Sequence, residues 1–430
     1  MNLLKLKASP EDIEARIIAE CPESQEIVNR ALNAGLEAGW KPRRSLSREQ
    51  AFAMYALAAP YNNSRTRILE IGTAYGFSAR ILAEACPLAH ITTLNPAANE
   101  VQEARKHLAL FPNVEVVTQK STDYLKHYIG TGYDLIFVDG DHNQIDQDLQ
   151  WWEWLRPGGL MIFHDYSPAG SWRECQSVYE SLNRFAEKRG LHEPEVVIRD
   201  LDDVGIAGFY KHGDADKTLV NPYHTILDAR SYSILGLRQL WTLFDLAQVV
   251  RDIPGDVMEC GVANGGSAYT IWKGADKNEL PTFSRYLYCF GDPDGVPEPM
   301  LMDGDKAMHR YRKYNGRWGA SDDRLFYGLM TDRVPQRELH YLPGVFADTF
   351  FREDIEAKLA FLHIDATLYQ STYDSLEKWL PLVVSGGVVA ISAYHYWPGI
   401  KLAAERYFER YGLNPGLFSY DDVNVAWRVE

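Results

Sequence analysis

Cysteine is scarce in this 430-residue chain. The five present, Cys21, Cys86, Cys175, Cys260 and Cys289, are odd in number and scattered. That pattern argues against a disulfide framework or a zinc-ligand set and leaves buried, reduced thiols as the reading. Long apolar runs are missing too: none approaches the roughly 18 residues a membrane span needs, so no transmembrane helix is expected. The opening MNLLKLKASPEDIEARIIAE lacks the apolar core and small-residue cleavage site of a secretory leader, so a cytoplasmic protein is the expectation. Positive charge is in deficit, with 44 Lys and Arg against 59 Asp and Glu giving a formal net charge of -15 and no basic run to offset it. Such a chain repels a phosphate backbone, which argues against nucleic acid as a partner.

What is present reads as globular: 46% of residues are hydrophobic and 24% charged. The length exceeds what one hydrophobic core usually organises, so two domains are expected. Residues 10–60 read as helices that lid or flank the first domain. One start is marked by Pro10, Glu11 and Asp12, and another by the serines of SLSREQAFAMYALAA. From Arg67 onward, short Ile- and Val-rich runs alternate with helix-length amphipathic stretches, the pattern of a parallel sheet. The expected strands are RILEI, HITTL, VEVVT, YDLIFVD, GLMIFHD, EVVIRD and GIAGFYK, the last two a closing hairpin pair. The first domain is drawn at 1–212, a polar linker at 213–230, and a second domain at 231–430. The second begins with the helix SILGLRQLWTLFDLAQVV and continues through the strands GDVMECGV, YLYCFG, ELHYLPG, KLAFLHID, GGVVAISAY and NVAWRVE. Three landmarks recur in order: ILEIGTAYGFS against VMECGVANGGS, YDLIFVDGD against LAFLHIDAT, and RPGGLMIFHDY against SGGVVAISAY. A whole domain has been duplicated.

The first landmark places Glu70 ahead of a turn from Gly72 to Gly76, between a strand and a helix, where glycines let the backbone approach a ligand closely. Its E-x-G-x-x-x-G spacing differs from the G-x-G-x-x-G of dinucleotide folds. The second, Val138-Asp139-Gly140-Asp141-His142, and the third, His164-Asp165-Tyr166, end neighbouring strands, so Asp139 and Asp165 should share one cleft. Two carboxylates there can hold a hard divalent cation such as Mg2+, leaving His142 or His164 as a base. The alternative is that the acids cap loops and the histidines lie on the surface. Trp151, Trp152 and Trp154 follow on a helix that cannot expose all three, so part of that cluster is core.

The Glu70 turn resembles motif I of class I S-adenosylmethionine (SAM) methyltransferases. The resemblance implies two Rossmann-like α/β domains in tandem, each a mostly parallel seven-stranded sheet flanked by helices. It also implies cofactor contacts from Glu70, Gly72, Thr73, Tyr75, Gly76, Ser78, Asn95, Ser121 and Asp139, and in the second half from Glu259 and Gly261. Residues 65–210, with DGDH and HDY, resemble the metal-dependent small-molecule O-methyltransferases, which implies Asp139 and Asp165 as metal ligands and Asp139, His142 and His164 as catalytic groups. Residues 230–430, with GDVMECGVANGGS and HIDATLYQSTYDSLEKWLP, resemble the macrocin O-methyltransferase family of antibiotic sugar methylases.

Departures from the family pattern are informative. Asn95 stands where an acid usually binds the ribose, and Cys289-Phe290-Gly291 replaces the corresponding aspartate, with Asp292 one residue later. The family's Asp-Gly-Asp reads Asp365-Ala366-Thr367, and its paired acids before a tyrosine read Ser392-Ala393-Tyr394. The second half therefore either methylates without metal, using His363 or His395, or serves structure and substrate recognition. Its long segment from Gly291 to Gly328 reads as a lid or interface loop. There Tyr311, Tyr314, Trp318 and Phe326 either wall a substrate or pack on the host domain.

The leading expectation is O-methyl transfer to a hydroxyl of a small polar metabolite, a sugar or glycosylated natural product. The alternatives are metal-independent N- or C-methylation, a SAM-binding regulatory or assembly protein, and two active halves methylating in succession. Self-association is compatible with the family resemblance.

Overall fold

A computed structural model describes residues 5–37, 46–168, 173–191, 193–212, 223–276, 284–351 and 355–430. The chain divides into two compact units, residues 1–125 with 132–219, and residues 126–131 with 220–430. Of the stretch read as linker, 213–222 lie outside the described residues, while Tyr223–Arg230 is helical.

The strands of the first unit are β1 (Lys5–Lys7), β2 (Arg67–Ile71), β3 (His90–Leu94), β4 (Val114–Val117), β5 (Tyr133–Val138), β6 (Leu155–Tyr166), β7 (Val196–Arg199) and β8 (Gly205–Tyr210). They lie in the order β1-β7-β8-β6-β5-β2-β3-β4. β8 runs antiparallel to both β6 and β7, and the other pairings are parallel. The sheet has eight strands rather than the seven expected, because Lys5–Lys7 adds to the β7 edge. Every residue of β2 and β3 is buried, as expected of central parallel strands covered on both faces.

Of the two readings of the early helices, lid or flank, the packing favours the flank. Ser9 caps Pro10–Glu20, and Ser47 with Gln50 forms a full capping box on Arg48–Ala58. Yet residues 50–58 are all buried, and Ile13, Ile17, Val28, Phe52 and Met54 belong to the same core as β2 and β5. A helix apolar on every side is a core helix, not a lid.

The second unit holds β9 (Asp256–Cys260), β10 (Leu287–Gly291), β11 (Leu339–Pro343), β12 (Leu359–Ile364), β13 (Val383–Ile391), β14 (Phe418–Ser419) and β15 (Val425–Arg428). Their order is β11-β10-β9-β12-β13-β15-β14, that of the first sheet without its extra strand. The two-residue β14 carried too little pattern to be foreseen. The segment read as a lid loop is largely helical, at Leu301–Asp303, Gly304–Lys313 and Asp323–Met330. Phe326 is buried there and stacks on Tyr341 at 4.2 Å, and Trp318 packs on Trp397 at 5.2 Å, so these two rings belong to the host domain. Tyr314 is exposed. All five cysteines are free and buried. Among the described residues no helix is long and apolar enough to cross a membrane.

Candidate active site

In each sheet the strand order reverses beside the first strand of the repeat, β2 or β9, which opens a crevice at the carboxyl ends of the strands. Glu70 is the fourth residue of β2, in register with Thr93 of β3 and Phe137 of β5, and is fully buried. The Thr93 hydroxyl donates to Glu70 Oε2 and is itself paired with the Thr73 hydroxyl. Burial pushes the Glu70 carboxyl up to about 7, against the lowering pull of the Ser78 and Thr93 hydroxyls, and the nearby Asp139 adds to the rise. Oε1 has no partner of hydrogen-bond geometry among the described residues. Thr93 was missed in the sequence, although a hydroxyl in a wholly buried strand run was a usable signal.

The turn after β2 is held tightly. Gly72 has φ +104°, and a Cβ there would sit 2.0 Å from the Asp139 carbonyl oxygen. Ala74 is also left-handed at φ 42°. The Tyr75 side chain is largely exposed, while its carbonyl lies 2.9 Å from His107 Nδ1. Asn95, just past β3, donates from Nδ2 to Glu100 Oε2 at 2.8 Å, so a carboxylate is present at this strand end although absent from its first position. Ser121 is engaged on two sides: its hydroxyl donates to Asp148 and accepts from Trp151 Nε1 at 3.0 Å. Burial pushes Asp148 to about 6, against the Ser121 hydrogen bond. Trp151 and Trp152 are buried as core.

One ligand atom each from Asp139, His164 and Asp165 lies within 4.8 Å of the other two, the one group of its kind among the described residues. His164 Nδ1 is 2.9 Å from Asp139 Oδ1 and 3.3 Å from Asp165 Oδ2. Its Nε2 is 2.9 Å from Gln50 Oε1, an oxygen that also accepts from the Ser47 amide. Burial opposes charge on this ring, but Asp139 and Asp165 outweigh it and raise the imidazole to about 10. A ring with both nitrogens donating has no lone pair for a substrate proton. His142 keeps 16% of its side-chain surface and holds Nε2 3.3 Å from Asp165 Oδ2. Asp165 is left-handed, at φ 56°. Asp141 caps its own loop, accepting from the Asn143 amide and from Gln144 Nε2, and is held below its ordinary value by those bonds. Gln50 was also missed, since nothing in an N-terminal helix signals a partner 114 positions away.

The second unit repeats the frame with other chemistry. Glu259 of β9 is buried, Gly261 has φ +106°, and a Cβ at Gly261 would lie 2.2 Å from the Asp365 carbonyl oxygen. His363 of β12 stands in register with Glu259 where Phe137 stands in the first unit. Its Nδ1 donates to Glu259 Oε1 at 2.6 Å, and its Nε2 lies 2.9 Å from Ser392 Oγ. His395 lies 3.0 Å from the Ser419 hydroxyl instead.

Two such sheets, each with a glycine turn under a buried acid at the topological switch point, define class I SAM-dependent methyltransferases. A family model described as Macrocin-O-methyltransferase (TylF) matches residues 227–429, and one described as a methyltransferase domain matches residues 69–166. Among relatives, mycinamicin III 3''-O-methyltransferase of Micromonospora griseorubida is 30% identical over 46% of this chain and 78% of its own length. An 8-demethyl-8-(2,3-dimethoxy-alpha-L-rhamnosyl)-tetracenomycin-C 4'-O-methyltransferase of Streptomyces olivaceus is 29% identical over 46% of this chain and 76% of its own. Demethyldecarbamoylnovobiocin O-methyltransferase of Streptomyces niveus is 26% identical with the same coverages. The chain belongs to the macrocin O-methyltransferase family of SAM-dependent O-methyltransferases.

Proposed function

We propose that the first unit transfers the SAM methyl group to a hydroxyl of a small polar metabolite, a sugar or glycosylated natural product, with Mg2+ held by Asp139 and Asp165. The observation that carries this reading is the convergence of Asp139, His164 and Asp165 at the ends of β5 and β6, beside the Glu70 turn. The acceptor class follows the names of the relatives, which act on glycosylated compounds.

The residues fit both groups. The orphaned Glu70 Oε1 suits the ammonium of a bound amino acid, and the missing Cβ at Gly72 lets this wall of the crevice close on the Asp139 backbone. Thr73, Tyr75, Gly76 and Ser78 continue that wall, and Asn95 with Glu100 offers acceptors for ribose hydroxyls. Ser121, tied to Asp148 and Trp151, orders the neighbouring loop. Two carboxylate oxygens suit a hard cation. When bound, SAM supplies the electrophilic methyl group, and the cation lowers the pKa of the accepting hydroxyl. His164 orients Asp139 and Asp165, Gln50 fixes His164, and His142 takes the proton.

The test is transfer of labelled methyl from SAM to a glycosylated acceptor, with Mg2+ and with EDTA. Loss of turnover in EDTA and in Asp139→Asn, restored in the former by Mg2+, is expected. Unchanged turnover in EDTA refutes the metal role and favours the metal-independent reading, for which the His164 cation between the two carboxylates already provides a charge balance.

A further inference from the structure

Negative charge is not spread evenly over this acidic chain. Within residues 304–317 of the second unit stand Lys306, Arg310, Arg312, Lys313 and Arg317, with Asp305 as the one acid. The first four lie on the helix Gly304–Lys313, whose buried Ala307 marks the side turned to the core. Lys306, Arg310 and Lys313 follow one another at i, i+4 and i+7, so they form a single stripe about 10 Å long on another side of that helix. Lys306 and Lys313 are exposed and Arg310 is half-buried. Elsewhere surface cations are matched by carboxylates one turn away, as Lys401 is by Glu405 and Lys106 by Glu103. Among the described residues no carboxylate pairs with a cation of this stripe. Asp303, one turn before Lys306, is buried, and its oxygens accept from the amides of Met300 and Tyr369.

Aromatic rings hold these cations instead. Lys306 Nζ lies 3.4 Å from the Tyr396 ring centroid and 5.3 Å from that of Trp397. The Arg310 guanidinium lies 5.5 Å from the Trp318 centroid and 6.0 Å from that of Trp397, and Lys313 Nζ lies 5.5 Å from that of Tyr314. A ring face steadies a cation without neutralising it. The positive charge therefore stays available, and these side chains lose little further freedom when a ligand arrives. The Lys306 hydrogen bond, with the charges of Lys306 and Arg310, holds the Tyr396 phenol below its ordinary value, so both cations act on one point. Tyr396 at the Lys306 end and Tyr314 at the Lys313 end are each nearly half exposed.

We propose that this face of the second unit binds a nucleoside diphosphate, with Lys306 and Arg310 on the two phosphates and the base laid against Tyr314. A lysine and an arginine one helical turn apart, about 5–6 Å between their Cβ atoms, span two neighbouring phosphates, and the guanidinium can grip one of them with two parallel hydrogen bonds. A nucleic acid would run on past the stripe and meet the rest of an acidic surface, whereas a short anion meets only these cations. An exposed tyrosine ring beyond the last lysine gives the base a face on which to stack.

The inference goes beyond the methyl-transfer reading and does not rest on it. Its test is calorimetry of the full chain in EDTA and excess SAM, which occupies the crevices, with uridine diphosphate, pyrophosphate and uridine as probes. Uridine diphosphate should bind once per chain, about tenfold or more tighter than pyrophosphate, and uridine should give no heat. Lys306→Gln and Arg310→Gln should each weaken uridine diphosphate about tenfold or more. Arg312→Gln, on the same helix but off the stripe, should leave its affinity unchanged. Tyr314→Leu should weaken uridine diphosphate and leave pyrophosphate as it was. No binding of uridine diphosphate to the unmodified chain, or an equal loss in Arg312→Gln, would overturn the proposal. So would displacement by a glutamate-rich peptide at comparable affinity, which marks a docking face for an acidic protein instead. The titration of the unmodified chain needs no variant to fold, and the methyl-transfer assay judges the first unit separately.

Discussion

Glu70 is a carboxyl that folding places at a disadvantage, and its replacement tests the cofactor assignment. Its folded value of about 7 lies above the ordinary 4.5, so the folded chain holds this proton longer than the unfolded chain does. Stability from this group is fully present below pH 4.5 and is lost as pH rises through 7. At about 1.4 kcal/mol per pH decade, the loss amounts to about 3 kcal/mol by pH 8. Glutamine keeps an oxygen for the Thr93 hydroxyl and carries no charge. Glu70→Gln should therefore stabilise the first unit at pH 8 by about 2–3 kcal/mol and be nearly neutral at pH 4. The same variant should lose SAM affinity about a hundredfold, because a charged partner for the ammonium is gone. In the unmodified chain, affinity should fall as pH drops below about 7. Hydrogen exchange across residues 67–94 during urea unfolding reads the first unit alone, and calorimetry reads SAM. A variant that is less stable at pH 8, or that binds SAM as before, would refute the reasoning.

Gly72→Ala should cost at least about 3 kcal/mol, from a strained φ and a Cβ 2.0 Å from the Asp139 carbonyl oxygen. Gly158→Ala, with φ +83° and nothing within 4 Å of its Cβ, should cost about 1 kcal/mol, and thermal unfolding compares the two. Asp165→Ala copies Ala393 into the first unit and should abolish Mg2+ binding in a metal titration while preserving the fold. Gln50→Leu removes the acceptor for His164 Nε2 and for the Ser47 amide, and should lower stability by about 1–3 kcal/mol in denaturant titrations.

The sequence by itself determined the duplication, the strand runs and the position of both motif acids. These follow from local patterning: apolar runs of strand length, glycines where a turn needs positive φ, and acids at strand ends. All thirteen strands it marked from Arg67 onward overlap observed strands, and the last, NVAWRVE, begins one residue before β15. Only the tertiary structure decided the partners. Thr93 reaches Glu70 across 23 positions, Gln50 reaches His164 across 114, and His363 reaches Glu259 across 104. Register between strands and the docking of the Arg48–Ala58 helix set those pairs, and both depend on how remote segments pack. The sequence could name Asp139, His164 and Asp165 together, but it could not tell that the imidazole would bridge the acids, because a side chain's charge and its free nitrogens are fixed by what burial brings beside it.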